Sequence, residues 1–198
     1  MKLLTEIELK DWLKSRQLSW DEKYGYIDFV GSASDGRFWC LPAHGRRIVY
    51  FLAIILDSLD PWQYLILCKQ GATGWYEVGE STGVIEDVHD QILVSTGVPR
   101  DFQGAIRFEP SEKPLILTLL FNQLLFGWCV WDDVYVIPDH ARQIVKTSHH
   151  DVVHVDFNDP SRIAAFAKRM SEEKFELPQE VPDGTFKIPH WMRGKETS

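Results

Sequence analysis

The chain has 198 residues, of which 44% are hydrophobic and 13% aromatic, a composition that supports one packed core and excludes a largely disordered chain. Its 29 acidic and 21 basic side chains give a formal net charge of -8, which disfavours nucleic acids and anionic membranes as partners and favours a basic protein. No apolar run approaches the roughly 20 residues that a bilayer requires, and the segment MKLLTEIELK is unlike a secretory signal.

An amphipathic helix is predicted at the amino terminus. Thr5 and Glu8 form a capping box, and Leu4 and Leu9 have the spacing of a hydrophobic staple. The helix is therefore expected to begin after Thr5 and to bury one apolar face, formed by Leu9, Trp12 and Leu13.

Three hairpins are predicted from neighbouring runs of aromatic and β-branched residues. The first has its strands within YGYIDFVGSASDGRFWCLP and its turn at Asp35-Gly36. The second pairs WQYLILCK with GWYEV across QGAT, and the third pairs WCVW with VYVIP across Asp132-Asp133. Two further strands are expected, at Ala105–Phe108 and in the alternating segment DVVHVDF.

Two strongly apolar segments predict buried helices. Residues 46–59 include nine consecutive apolar positions and are followed by Asp60-Pro61, which ends the segment. Residues 115–126 follow Pro114, which is suited to a helix start, and precede Gly127, which is suited to a helix end. We expect both helices to lie in the core.

Two further segments predict helices with one apolar face. Residues 84–95 approximate a helical face, and Gly97 is placed to end that helix. Asp159-Pro160 begins an amphipathic helix near the carboxyl terminus. The apolar faces consist of Val84, Val88, Ile92 and Val94 in the first helix and of Ile163, Phe166, Ala167 and Met170 in the second.

These elements predict an α+β fold with a largely antiparallel sheet built from hairpins, two buried apolar helices, and amphipathic helices near both termini. No repeat or interdomain linker interrupts residues 1–198, so we expect a single domain. Residues 177–198 contain Pro178, Pro182 and Pro189 without a helical period, which predicts an extended carboxyl-terminal arm.

The cysteines indicate a reducing compartment. Cys40, Cys68 and Cys129 are far apart in the sequence and form no C-x-x-C pair, so neither a disulfide framework nor a thiolate zinc site is predicted. We expect all three to be free core residues of a cytoplasmic protein.

One pentapeptide matches a catalytic motif. Residues 79–83, GESTG, fit the G-x-S-x-G pattern between a predicted strand and a predicted helix, where Ser81 would be the nucleophile of a serine hydrolase. Asp132 or Asp133, and then His154, follow in an order that a catalytic triad can use. Against this interpretation, the preceding strand is predicted to return through a tight loop, and no HGGG-like oxyanion loop precedes the motif.

The segment HHDVVHVD, residues 149–156, concentrates imidazoles and carboxylates. On a strand His150, His154 and Asp156 share one face, and two histidines with one carboxylate are metal-ligating groups. Four strand residues separate the histidines by about 13 Å, however, which is too far for one ion without a bulge. We therefore expect a polar outer strand face, with neither a metal nor a cofactor.

Aromatic residues provide two further candidate surfaces. Trp128, Trp131 and Tyr135 could stack a ligand, but aromatic pairs across a hairpin more commonly stabilise the sheet itself. In the arm, Phe186 and Trp191 are potential anchors that dock either on the chain's own domain or on a partner. The sequence leaves both modes of docking open.

Because no complete catalytic constellation is predicted, the leading hypothesis is a non-enzymatic protein-binding module of the immunity or regulatory type. An acidic or aromatic surface would hold a basic protein or a second copy of the chain, with no role for nucleic acid or membrane. The alternative hypothesis is a small serine hydrolase that uses Ser81.

Overall fold

The computed structural model describes residues 1–31, 35–42, 47–72, 74–76, 84–130, 133–148 and 152–175. Five α-helices form in this part of the chain: α1 (Glu6–Ser15), α2 (Ile48–Ser58), α3 (Val84–Thr96), α4 (Lys113–Val130) and α5 (Ile163–Glu172). The strands are β1 (Lys2–Leu4), β2 (Leu18–Trp20), β3 (Ile27–Phe29), β4 (Asp35–Cys40), β5 (Leu65–Lys69), β6 (Ala105–Phe108), β7 (Val134–Pro138), β8 (Gln143–Ser148) and β9 (Val152–Phe157).

Seven strands form one sheet in the order β1-β6-β5-β7-β8-β9-β4, and β2 pairs with β3 in a separate two-stranded sheet. Every pair of these strands is antiparallel. The α+β class and the antiparallel sheet are therefore as predicted, and so are the strands Ala105–Phe108 and Val152–Phe157. No helix in the described ranges is long and apolar enough to cross a membrane.

The large sheet is covered on both faces, because side chains alternate along each strand. On β5, Leu65 and Leu67 join a hydrophobic cluster with α2, α4 and α5, while Ile66 and Cys68 join a second cluster on the opposite face. That second cluster includes Leu9 of α1 and residues of the β2–β3 hairpin. We call α1 together with β2 and β3 the hairpin layer.

The amino-terminal helix begins as predicted. The Thr5 hydroxyl accepts a hydrogen bond from the Glu8 backbone N–H, and the Thr5 N–H donates to the Glu8 carboxylate at 2.8 Å, which completes the capping box. Leu4 and Leu9 are buried in the same cluster, as expected of a staple. These local bonds fix the start of α1, and Leu9 packs the helix against the sheet face that carries Ile66 and Cys68.

The carboxyl-terminal helix is also confirmed. The Asp159 side chain accepts from the Ser161 N–H and caps a short turn that continues into α5. On α5, Phe166 and Met170 are buried in the core, with Ile163 and Ala167 packed beside them.

The two apolar helices are α2 and α4, both packed in the cluster on the helical face of the sheet. α4 does not end at Gly127, however, but continues to Val130. A glycine costs only about 1 kcal/mol in a helix interior, so a helix can continue past it. Trp128 and Cys129 are therefore helical, and the predicted third hairpin is wrong, since β7 pairs with β5 and β8.

The first predicted hairpin is also wrong. Asp35 and Gly36 lie inside β4, which pairs with β9, whereas β3 pairs with β2. Gly36 stands opposite Asp156, and a β-carbon at residue 36 would overlap the Asp156 Oδ1 atom. The glycine therefore makes room for a carboxylate and does not form a turn.

The second predicted hairpin fails because β5 has no free edge. Its two neighbours are β6 and β7. Within GWYEV, Gly74 makes only an isolated bridge with Gln103, and Trp75 and Tyr76 lie in a turn.

α3 ends where predicted but turns a different face to the core. Gly97 has a φ of 82° and its N–H donates to the Val94 carbonyl, which is the expected glycine termination. Among the described side chains of α3, those of His89 and Leu93 are buried, whereas Val88 and Val94 are 45% and 48% exposed. The apolar face assigned from sequence is therefore wrong at Val88 and Val94, whereas Ile92 is half-buried and the Val84 side chain lies outside what the structure describes.

Candidate functional site: an acidic and aromatic cleft

The hydrolase hypothesis depends mainly on residues outside the described ranges, which include neither Ser81 nor Asp132. His154 is described and lies in β9, opposite Phe38 of β4 and Lys146 of β8. A Ser-His-Asp arrangement at Ser81 therefore stays a prediction.

The docking anchors of the arm, Phe186 and Trp191, also lie outside the described ranges, as does His150. Within the described part of the chain, no group of three or more His, Cys, Asp or Glu side chains could hold a metal ion. Cys68 is a free, fully buried thiol, and burial raises its pKa to about 12, so it is not poised as a nucleophile.

His154 belongs to a polar patch between the sheet and the hairpin layer. Lys146, its partner across β8 and β9, places its Nζ atom 3.6 Å from Asp133 Oδ2 and 5.7 Å from the ring centre of Tyr26. On the same face of β9, burial and then the Asp28 carboxylate raise the pKa of Asp156 to about 6. The polar strand face predicted from sequence is therefore half-buried.

A cleft of about 350 Å³ opens where the hairpin layer meets the end of β5. Its walls are the first turn of α1, the loop between β2 and β3, and the turn that follows β5. The side chains that line it are Glu6, Trp20, Asp21, Glu22, Lys23, Tyr24 and Gln70, so carboxylates outnumber the single lysine. Carboxylates and aromatic rings thus meet in one concave surface.

The loop that forms one wall is held by its own hydrogen bonds. Asp21 Oδ1 accepts from the Lys23 N–H at 2.9 Å, and the Asp21 carbonyl accepts from the Gly25 N–H at 2.7 Å. Gln70 then ties the loop to the end of β5, since its Nε2 atom donates to the Tyr24 carbonyl at 2.8 Å. The wall is therefore formed before any ligand binds.

Two carboxylates and one ring converge on a single ammonium group at the edge of the cleft. Lys10 Nζ lies 3.0 Å from Glu6 Oε1, 3.0 Å from Glu22 Oε2 and 5.5 Å from the ring centre of Trp20. Hydrogen bonds to Glu22 and Glu6 raise the pKa of Lys10, which keeps it charged. At the edge of the cleft, two carboxylates and one ring thus surround a single ammonium group of the same chain.

Exposed tyrosine side chains extend this surface from Tyr24, which lines the cleft, to Tyr26, which is not part of its lining. Tyr24 and Tyr26 are 52% and 46% exposed, and their ring centres are 5.8 Å apart. Tyrosine and tryptophan supply a large share of the contact energy in protein interfaces. Together with the cleft, these tyrosines form what we call the hairpin surface.

Sequence reasoning missed the hairpin surface. A local signal was present in DEKYGY, residues 21–26, where an Asp followed by a Gly predicts a turn stabilised by the Asp side chain. The cleft itself also requires Gln70 and Gly71, which are far in sequence from residues 21–26. The fold of the sheet brings the end of β5 next to that loop.

Comparison with known proteins finds no matching family model, no matching curated protein and no matching solved structure. What the protein does is therefore inferred from the hairpin surface itself.

Proposed function

We propose that this protein is a non-enzymatic protein-binding module, of the immunity or regulatory type, that holds a basic partner on the hairpin surface. The observation that supports this most is the placement of exposed Tyr24 and Tyr26 beside a cleft edged by the Glu6 and Glu22 carboxylates. The rings supply contact area, and the carboxylates select a positively charged partner. The net charge of -8 adds long-range attraction for such a partner.

The loop geometry also favours binding. A surface that is already ordered loses less conformational entropy when the partner docks, so more of the contact energy appears as affinity. A reducing, cytoplasmic setting is part of the proposal, because Cys68 is a free thiol in the core.

The proposal is tested by calorimetric titration of the full chain with a lysine- and arginine-rich peptide, using a length-matched glutamate-rich peptide as the control. We expect the basic peptide alone to bind, with an affinity that falls as salt is added. Replacing both Tyr24 and Tyr26 with Ala should weaken binding about tenfold or more.

Tyr50 provides the matched control variant, because it is an equally exposed tyrosine, 45% accessible, on α2 in the opposite layer. Tyr50→Ala should leave peptide affinity unchanged. Failure of the basic peptide to bind, or an equal loss in the Tyr50 variant, would contradict the proposed function.

A further inference from the structure

We propose that Lys10 is a built-in occupant of the cation site at the cleft edge, and that a partner binds by replacing its ammonium group with a lysine or arginine side chain. The inference rests on the proposed function and names the group that the cleft recognises. It also assigns Lys10 a self-inhibiting role, because the chain's own cation must leave before the partner's can enter.

The contacts of Lys10 are those that recognise a cationic side chain. Glu6 comes from the first turn of α1, while Trp20 and Glu22 come from β2 and the loop after it, so the three groups converge from two separate elements. A ring face and paired carboxylates bind ammonium and guanidinium groups. The cleft beside them is open, with room for the stem of an incoming side chain.

A second cation repeats the pattern on the other ring. Lys23 Nζ lies 4.6 Å from the ring centre of Tyr24, and both residues line the cleft. Each aromatic residue of the cleft is thus covered by a lysine of the same chain. Lys10 is the one that we assign as the exchanging group, because two carboxylates as well as a ring hold it.

Exchange at this position is feasible because the ion pairs face solvent. The Lys10 side chain is 33% exposed, and the Glu6 and Glu22 side chains are 47% and 75% exposed. Ion pairs in such surroundings contribute little to stability, so Lys10 can swing away on its flexible stem at small cost. Arginine should replace it better than lysine, because a planar guanidinium stacks on a ring and pairs with a carboxylate through two donors.

The test compares two variants of the full chain that remove one positive charge from the same helix. Lys10→Met removes the occupant, whereas Lys14→Met removes an exposed lysine one turn further along α1. Both raise the general attraction for a basic peptide, but only Lys10→Met vacates the cation site. We expect Lys10→Met to tighten the calorimetric affinity for an arginine-rich peptide about threefold beyond the effect of Lys14→Met.

Glu22→Gln should weaken binding of the same peptide, because it removes one carboxylate from the site. Lys10→Gln should give the same gain in affinity as Lys10→Met, because both remove the ammonium group and only the methionine adds an apolar side chain. An affinity for Lys10→Met equal to or weaker than that of Lys14→Met overturns the inference while leaving the proposed function intact. Absence of peptide binding to the unmodified chain overturns the proposed function, and this inference with it.

Discussion

The backbone of Gly25 lies directly against that of Gly71, and a β-carbon at residue 25 would overlap the Gly71 amide nitrogen. Both glycines have positive φ angles, 67° and 72°, which other residues rarely adopt. Their contact joins the loop of the hairpin layer to the end of β5, and both residues line the cleft. The shape of the cleft therefore depends on the absence of side chains at this point.

Gly25→Ala should destabilise the protein more than Gly31→Ala. Gly31 has a similar φ of 75°, but no atom of the described residues lies within 4 Å of the β-carbon that alanine would add there. Both variants carry the left-handed backbone cost, about 1–2 kcal/mol, whereas only Gly25→Ala forces two backbones apart, which adds about 1–3 kcal/mol. Urea unfolding measures the difference, and equal losses would show that the backbones can separate freely.

Asp156→Asn should stabilise the protein near neutral pH. Burial and then the Asp28 carboxylate raise the pKa of Asp156 from 3.8 to about 6 in the folded chain. The folded state therefore binds this proton more tightly than the unfolded state, and stability is lost as the pH rises between those two values. Asparagine cannot ionise, so the variant should gain about 1–3 kcal/mol at about pH 7.5.

The pH dependence of that gain is the decisive observation. It should shrink as the pH falls from about 6 towards 3.8 and vanish below about pH 3, where the Asp156 carboxyl is protonated in both the folded and the unfolded state. Asp101→Asn, which removes an exposed carboxylate, serves as the control for the change in net charge. A gain of the same size at both pH values would mean that ionisation of Asp156 is not its cause.

Asn122→Leu should stabilise α4, whereas the neighbouring Gln123→Leu should destabilise it. Asn122 is fully buried, and its Oδ1 and Nδ2 atoms find no hydrogen-bond partner among the described residues. Gln123 is equally buried, but its Nε2 atom donates to His89 Nε2 at 3.2 Å across the α3–α4 contact. Each change should shift the free energy of unfolding by about 1–3 kcal/mol, in opposite directions.

Thermal or urea unfolding of the two variants measures whether each change raises or lowers the free energy of unfolding. Destabilisation by Asn122→Leu comparable to that of Gln123→Leu would mean that the Asn122 amide has a polar partner in solution.

The sequence predicted those parts of the fold that depend on neighbouring residues. The capping box at Thr5, the termination at Gly97 and the Asp159 cap all form, because each needs only bonds within one turn of the chain. The helix and strand segments that were predicted from runs of apolar residues were mostly right, because such runs are also a local property of the chain.

Strand pairing was wrong wherever the partner lies far along the chain. Gly36 looked like a turn residue, but its role is set by Asp156, which β9 brings opposite it. β5 looked like half of a hairpin, but β6 and β7 occupy its two edges. Nothing local distinguishes these arrangements from the predicted ones, since the sheet order decides them.

The same difference between local and long-range contacts applies to the candidate site. An acidic or aromatic binding surface was predicted from composition and stays a prediction. The position of the cleft was not predicted, because it forms only where the loop after Trp20 meets Gln70 and Gly71. The sequence candidates Ser81, Phe186 and Trp191 lie outside the described ranges and stay predictions.

The role of the cleft in partner binding is tested most directly by amide and indole NMR spectra of the full chain during titration with an arginine-rich peptide. Binding in the cleft should shift the Trp20 indole signal and the Glu22 and Gly25 amide signals in a saturable manner, while the Tyr50 amide on the opposite layer stays unchanged. Shifts confined to other surfaces, or none at peptide concentrations that saturate the calorimetric titration, would contradict the assignment of the cleft as the partner-binding site.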